Sequence, residues 1–136
     1  MSFLLGRNDI FWRLGHEKSD ELLSLLKDLE NVNFQDKMGL SYLYMACSSH
    51  YLEAITILLE KGANPNLTDN RGREPILAAI GRKSDNNAKI LETFLNYGLD
   101  LTRIKEDISL KELIQSFEED ELNDVIKKFE EKQKSN

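Results

Sequence analysis

The sequence has few of the residues from which covalent or metal cross-links are built. Its 136 residues include one cysteine, Cys47, and two histidines, His16 and His50. A single cysteine excludes an internal disulfide framework and a zinc site made of cysteines, and it fits a reducing compartment. The two histidines do not form a pair at metal-ligand spacing, and we expect both to lie at turns. The sequence therefore predicts no metal and no cofactor.

Long hydrophobic runs and an excess of positive charge are also missing. No stretch approaches the roughly 20 apolar residues that span a bilayer, and residues 1–7 have neither a basic lead nor the apolar run of a signal peptide. The formal charge is −6, from 18 Lys+Arg against 24 Asp+Glu, which argues against sequence-independent binding to nucleic acid. We expect a soluble, cytoplasmic protein with no membrane or nucleic-acid partner.

Motifs of enzyme active sites are absent as well. The sequence has no Gly-x-Ser-x-Gly elbow, no phosphate-binding glycine loop and no dinucleotide fingerprint. Cys47 continues an apolar helical stripe with Leu43 and Ala46, so it is predicted to be a packing residue rather than a nucleophile. The acidic residues 118–121 are consecutive and cannot share one helical face, so we interpret them as the start of a helix. No catalytic residue is predicted, and the chain is not expected to be an enzyme.

The most informative feature that is present is an internal repeat of 33 residues. Residues 36–46 align without a gap on residues 69–79. Two further glycines, Gly62 and Gly98, are 36 residues apart, which places three extra residues near positions 82–87. A fixed period of this length is typical of a repeat architecture. The pairs matched at 33 residues are Asn33 and Asn66, Asp36 and Asp69, Gly39 and Gly72, and Ala46 and Ala79.

Each repeat unit predicts a turn, a helix, a tight turn, a second helix and a glycine stop. The Asp and Gly at the start of each unit favour a turn, because aspartate bonds its own backbone and glycine accepts left-handed dihedrals. Ser41 is a predicted N-cap, and Pro75 stands near a helix start. Gly62 and Gly98 follow the last apolar pair of each unit, as a left-handed helix C-cap requires.

This pattern resembles the ankyrin repeat, in which a turn with Asp and Gly precedes Thr-Pro-Leu-His, paired alanines, a Leu-Leu pair and a closing Gly-Ala-Asp-Val-Asn. Tyr44 and Leu77 stand where the family has its histidine. The first copy reads Asp36, Gly39, Ser41 to Tyr44, Ala46-Cys47, Leu58-Leu59 and Gly62 to Asn66. The second copy reads Asp69, Gly72, Glu74 to Leu77, Ala78-Ala79, Phe94-Leu95 and Gly98 to Leu101.

The resemblance implies an all-α solenoid of about four helix-turn-helix units in a single domain. The approximate units are 1–32, 33–65, 66–101 and 102–130, and residues 131–136 are expected to fray. The outer units are degenerate caps, which a repeat stack needs to close its core. Apolar residues predict their helices: Ile10, Phe11, Leu14, Leu22, Leu25 and Leu26 in the first unit, and Leu110, Leu113, Ile114, Phe117, Leu122, Val125, Ile126 and Phe129 in the last.

The resemblance also implies a binding groove formed by the turn tips and the exposed faces of the first helices. Met38 and Leu40 are apolar at positions where solubility alone favours polar residues, and arginines make the third unit locally basic. Whether Tyr42 and Tyr44 pack in the core or face the groove is left open. The candidate partner-binding residues are Gln35, Lys37, Met38, Leu40, Met45, Ser48, Ser49, Thr68, Asn70, Arg71, Arg73 and Arg82.

Two roles for this protein-binding function are compatible with the sequence. One is an inhibitor, such as a bacterial immunity protein that neutralises a cognate toxin, since the composition is rich in Lys, Glu, Asn and Ile and the acid excess suits a basic toxin. The alternative is a general adaptor or scaffold that links cellular proteins. In either role the free chain is expected to be a monomer.

Overall fold

A computed structural model describes residues 10–135 of the chain, so the predictions for residues 1–9 and for Asn136 lie outside the described range. The helical residues 10–14 belong to a helix that we call α1. The other elements are α2 (Asp20–Lys27), α3 (Tyr42–Ser48), α4 (Leu52–Glu60), α5 (Pro75–Ile80), α6 (Asn87–Asn96), β1 (Ile104–Lys105), β2 (Ile108–Ser109), α7 (Leu110–Gln115) and α8 (Asp120–Ser135).

The helices form two layers, as predicted for an all-α repeat solenoid. Each of the last three units contributes a first helix and a second helix that pack on each other: α3 on α4, α5 on α6 and α7 on α8. The first helices α3 and α5 pack side by side, and the second helices follow in the order α2, α4, α6, α8. One continuous core lies between the layers. Its largest fully buried side chains are Leu14, Leu22, Leu26, Leu43, Ile55, Leu58, Ile76, Ile80, Ile90, Leu91, Phe94 and Leu110.

The turn that opens each central unit has the predicted hydrogen bonds. Asp36 Oδ1 accepts from the backbone N–H groups of Met38 and Leu40, each at 2.9 Å. In the same way, Asp69 Oδ1 accepts from the backbone N–H groups of Arg71 and Arg73, each at 2.9 Å. Gly39 and Gly72 adopt φ angles of +80° and +76°, a region that costs little only for glycine. The turn is therefore determined by residues within five positions of each other.

The predicted helix ends are also confirmed. Ser41 Oγ accepts from the backbone N–H of Tyr44 at 3.1 Å, and Pro75 is the first residue of α5, where its missing donor costs nothing. Gly62 and Gly98 have φ angles of +98° and +103° and follow the ends of α4 and α6. These glycines allow the chain to leave the second helix in the left-handed conformation.

The loop between α5 and α6 contains the predicted insertion. It covers residues 81–86, three more than the 49–51 loop between α3 and α4. All six residues of the longer loop are exposed. Lengthening a surface loop adds only a small entropic cost, so the helices on either side keep the same packing arrangement.

The last unit differs from the prediction in two respects. Its opening turn is a two-stranded hairpin, in which Ile104 pairs with Ser109 and Lys105 with Ile108. No glycine is needed because Glu106 and Asp107 adopt φ angles of +49° and +76°. The second difference is at the end of the chain, where α8 continues through Ser135 although residues 131–136 are expected to fray. Residues of high helix propensity and lysines at a helix C-terminus favour this continuation.

Candidate protein-binding surface

The turns of the second, third and fourth units lie side by side and form one continuous edge. The backbone N–H of Asn70 donates to Met38 O at 3.0 Å, and Asn70 Nδ2 donates to Lys37 O at 2.8 Å. One unit further on, Lys105 Nζ donates to Gly72 O. We call this edge, residues 35–40, 68–73 and 103–109, together with the first helices α1, α3 and α5, the hairpin-and-first-helix surface.

Arg73 is held in place within this surface. Its Nε donates to Asp69 Oδ2 at 2.6 Å, and its guanidinium lies 5.6 Å from the centre of the Tyr44 ring. Burial alone raises the pKa of the Asp69 carboxyl, but hydrogen bonds from Arg73 and Arg71 outweigh it and bring the pKa below its ordinary value. A charged Asp69 thus positions a half-exposed arginine. The cation–π contact also answers the open question about Tyr44, which is half-buried at the surface.

Tyr42, the other tyrosine left open by the sequence, packs in the core. It is 7% exposed, and its ring centre lies 5.9 Å from that of Phe11 and 5.9 Å from that of Phe34. This aromatic cluster joins the first unit to the second. Tyr42 is therefore a packing residue, whereas Tyr44 contributes to the surface.

A buried ion pair joins the third unit to the fourth. Glu74, the N-cap residue of α5, is only 2% exposed. Arg103 Nη2 donates to Glu74 Oε1, and Arg103 Nη1 donates to Asn66 O at 3.1 Å. A buried carboxylate needs such a partner, because desolvation of an isolated charge is costly. The pair was not predicted from the sequence, since its members stand 29 positions apart.

Besides the backbone carbonyls of Lys37 and Met38, four of the candidate binding residues make hydrogen bonds between units. Gln35 Nε2 donates to Gly39 O at 2.8 Å and to Thr68 O at 3.0 Å. Ser49 Oγ donates to Leu14 O at 2.7 Å, which ties the second unit to the first. Asn70 holds the neighbouring turn as described above. The structure thus gives Gln35, Ser49, Thr68 and Asn70 a place in the stacking of the units.

Apart from Arg73, the remaining candidates fall into three groups. Lys37, Met38 and Arg71 are exposed on the turn edge, whereas Leu40 and Met45 are half-buried against the core. Ser48, the last residue of α3, and Arg82, two residues after α5, are exposed at the ends of these helices that lie away from the turn edge. The turn residues therefore form a connected set, and Ser48 and Arg82 lie at the far margin of the first helices.

Three exposed apolar residues of this surface were missed. Trp12 on α1 is 64% exposed and stacks on the His16 ring at 4.3 Å, and Ile104 and Ile108 of the last hairpin are 66% and 37% exposed. The spacing of the buried Phe11 and Leu14 could have placed Trp12 outside the core stripe. The shift of 36 residues that relates Gly62 to Gly98 also relates Thr68 to Ile104, so a candidate position at Ile104 was accessible from the sequence.

The residues that could have supported chemistry have structural surroundings. Cys47 is fully buried, and burial raises the pKa of its thiol well above the ordinary value, which confirms its packing role. Both histidines lie at inter-helix turns, as predicted: His16 Nδ1 is 3.0 Å from Trp12 O, and His50 has φ +56° with its Nε2 on Ala79 O. Among residues 10–135 no group of three His, Cys, Asp or Glu side chains is placed to hold a metal.

The predicted acidic segment lies at the start of the last helix. The helix α8 begins at Asp120, with Asp120 and Glu121 in its first turn, so residues 118–121 do mark a helix start. Acidic side chains there interact favourably with the helix dipole.

Within the described part of the chain no helix is both long enough and apolar enough to cross a membrane.

The sequence matches known proteins over most of its length. Human BCL-6 corepressor-like protein 1 is 38% identical over 90 residues, which are 66% of this chain and 5% of that protein. The Caenorhabditis elegans ankyrin repeat and KH domain-containing protein mask-1 is 33% identical over 114 residues, 84% of this chain and 4% of that protein. Putative ankyrin repeat protein L92 of Acanthamoeba polyphaga mimivirus is 37% identical over 62 residues, which are 45% of this chain and 15% of that protein.

These matches cover only a small part of each relative. The relatives come from animals and a virus, so they lend no support to the bacterial origin suggested by composition. A family model described as ankyrin repeats in three copies matches residues 13–105, more than half of the chain. Ankyrin repeats mediate binding to other proteins, which makes this chain a protein-interaction module. The turns, caps and stacked helix pairs agree with that match, and the chain belongs to the ankyrin-repeat family.

Proposed function

We propose that the chain is a non-catalytic, cytoplasmic module that holds a partner protein on its hairpin-and-first-helix surface. The observation that carries the proposal is the exposure of large apolar side chains in three different units: Trp12 at 64%, Met38 at 51% and Ile104 at 66%. Large apolar side chains that stay exposed in several units of one surface are available to a partner protein. Tryptophan, methionine and arginine are the residues enriched in protein interfaces.

The charges of this surface suggest the chemistry of the partner segment. Arg71 and Arg73 lie on the third unit, between the turn that carries Met38 and the hairpin that carries Ile104. This order, apolar then basic then apolar with the acidic Glu106 and Asp107 at the tip of the last hairpin, is complementary to a segment with a carboxylate between apolar side chains. Arginine favours carboxylates because its planar guanidinium donates two parallel hydrogen bonds. Lys37 and Asn70 add polar contacts at the rim.

Of the two roles, adaptor and inhibitor, the chemistry of this surface favours the adaptor. An extended set of apolar contacts with one basic centre suits a peptide-like segment. The matched region forms only 4% and 5% of two of the longer relatives, one of which is a corepressor-like protein by name. By analogy, the repeat stack is a docking part that brings another protein to a larger assembly.

The inhibitor role, as an immunity protein against a basic toxin, is the second candidate. The observation that favours it is the net charge of −6, since complementary fields accelerate encounter with a basic partner. Arg71 and Arg73, at the centre of the surface, would repel a basic partner at close range. A basic toxin would therefore contact acidic residues elsewhere, such as those at the start of α8.

Affinity capture with matched variants tests the location of the site. The bait is the wild-type chain, compared with a triple variant Trp12→Ala, Met38→Ser and Ile104→Ser and with Tyr97→Ser as control. Tyr97 is 41% exposed and lies after α6, outside the proposed surface. We expect the triple variant to lose the partner and the control to keep it. Equal capture by all three baits would place the site elsewhere.

Activity measurements on the captured partner then separate the two roles. An inhibitor binds one partner with nanomolar affinity and abolishes its activity at an equimolar ratio. An adaptor binds more weakly and leaves the activity intact. If substitution of Cys47 or His50 instead stopped turnover of a small molecule without unfolding the chain, the non-catalytic proposal would fail.

A further inference from the structure

The second helices of the last two units enclose a groove on the layer opposite the first helices. It has a volume of about 320 Å³ and lies between α6 and α8. Its lining is apolar in the middle and charged along the rim. The apolar residues are Ala88 and Leu95 of α6 and Val125 and Phe129 of α8, and the polar ones are Glu92, Asn96, Glu121, Asp124, Lys128 and Lys132.

The residues that α8 contributes to this groove form one helical stripe. Their spacing is i, i+3, i+4, i+7, i+8 and i+11, which is one face of a helix. Glu121 and Asp124 lie in the first half of the stripe and Lys128 and Lys132 in the second half, with the half-buried Val125 and Phe129 between the charged residues on one side. We call these six residues the α8 stripe.

Such a stripe is complementary to itself when two copies run antiparallel. A two-fold axis between residues 126 and 127 places Glu121 of one copy opposite Lys132 of the other, and Asp124 beside Lys128. The same axis brings Val125 of one copy next to Phe129 of the second. An isologous contact of this kind uses the same surface on both subunits. Antiparallel helices also set opposite ends of their dipoles side by side.

We propose that the chain forms a homodimer in which the α8 stripes of two copies pack antiparallel. The acidic, apolar and basic groups of the α8 stripe complement the same groups of a second copy, which is why a second copy is the occupant. The contact is confined to α8 and the adjoining face of α6, so it belongs to the small, concentration-dependent class of interfaces. This proposal replaces the monomer expected from the sequence and does not depend on the proposed function.

Dimerisation through α8 has a consequence for binding. The hairpin-and-first-helix surface lies on the other layer of each stack, so it stays accessible in the dimer. Two copies then present two such surfaces, and a partner with repeated binding segments gains avidity from the linkage.

Sedimentation equilibrium of the full chain with charge-exchanged variants tests the dimer. One variant carries Glu121→Lys with Asp124→Lys, and the other carries Lys128→Glu with Lys132→Glu. Each variant alone sets like charges against each other across the two-fold axis, and we expect its self-association to weaken by about tenfold or more. An equimolar mixture of the two restores opposite charges at both ends of the contact and should recover much of the lost association.

The control variant carries Lys27→Glu with Lys83→Glu, at exposed positions outside the groove, and its net charge equals that of the variant changed at Lys128 and Lys132. It should dimerise like the wild type. Circular dichroism melting curves establish that each variant is folded, and the variant changed at Lys128 and Lys132 leaves the start of α8 intact. A wild type that stays monomeric at about 1 mM, a mixture that recovers no association, or a control as weak as the variants would overturn the proposal.

Discussion

Asn66 repeats, one unit further along the chain, the pair of hydrogen bonds that Asn33 makes. Asn33 Oδ1 accepts from the backbone N–H of Asn64 at 2.8 Å, and its Nδ2 donates to Gly62 O at 3.3 Å. Asn66 Oδ1 accepts from Asp100 N at 2.9 Å and Asn66 Nδ2 donates to Gly98 O at 3.1 Å. Each asparagine therefore joins the loop at the start of its unit to the loop that follows the second helix of the same unit, so that successive loops are held against each other.

Removal of either asparagine should loosen the stack. We expect Asn33→Ala and Asn66→Ala each to lower the free energy of unfolding by about 1–2 kcal/mol, because two modest hydrogen bonds to backbone are lost. Urea unfolding measures the effect. Asn96→Ala, at an exposed position of α6, is the matched control and should change stability by less than about 0.5 kcal/mol. Equal losses at all three positions would contradict a role in stacking.

The Glu74–Arg103 pair should matter more than an exposed ion pair. Arg103→Met leaves the buried Glu74 carboxylate without its partner, and we expect a loss of about 3 kcal/mol in unfolding free energy. Lys111→Met breaks the ion pair with Glu130, in which the Lys111 side chain is 36% exposed and the Glu130 side chain 42% exposed. This change should cost less than about 1 kcal/mol. Replacing both Glu74 and Arg103 by leucine should cost less than Arg103→Met alone, since no buried charge remains. Similar losses for Arg103→Met and Lys111→Met would argue against a special contribution of burial.

Asp69 should make the free energy of unfolding depend on pH in the acid range. Because the folded-state pKa of Asp69 is lowered, its charged form stabilises the fold at pH values above the ordinary aspartate pKa of about 3.9. That contribution is lost as pH falls through the lower, folded-state pKa. The stability difference between wild type and Asp69→Asn should therefore shrink between about pH 5 and pH 2. Urea titrations across this range measure it, and a difference that does not vary with pH would exclude a lowered pKa.

Two glycines with similar dihedrals should respond differently to alanine. A Cβ at Gly39 would lie 2.5 Å from Asn70 Oδ1, whereas at Gly62 nothing lies within 4 Å. Gly62→Ala should cost about 1–2 kcal/mol from its positive φ alone. Gly39→Ala should cost more, because the neighbouring turn must also move. Thermal unfolding compares the two, and equal losses would show that the turns are not packed as closely as described.

The features that the sequence predicted well depend on residues close together in the chain. The Asp36 turn, the Ser41 cap and the left-handed Gly62 each involve partners within about five positions, so local rules were sufficient. The length of α8 was underestimated because helical continuation does not require an apolar period. The hairpin of the last unit was missed since its left-handed turn uses Glu106 and Asp107 in place of glycine.

The candidate surface was only partly accessible from the sequence. Family positions identified exposed residues such as Met38 and Arg71, but they also included Gln35 and Asn70, whose side chains join neighbouring turns. Trp12 lay in a degenerate cap, where the repeat offered no register. Exposure and inter-unit bonding depend on which side chains of the next unit come close, and a single unit does not contain that information.

The sequence by itself determined the repeating unit, because its turns, caps and apolar stripes are local interactions renewed every 33 residues. Only the tertiary structure decided how the exposed side chains are used. Stacking brings residues about 30 positions apart into contact, so that Arg103 neutralises Glu74 and Arg73 lies over Tyr44. The same stacking leaves Trp12 and Ile104 uncovered and gives α8 its groove, because these surfaces exist only once neighbouring units have packed.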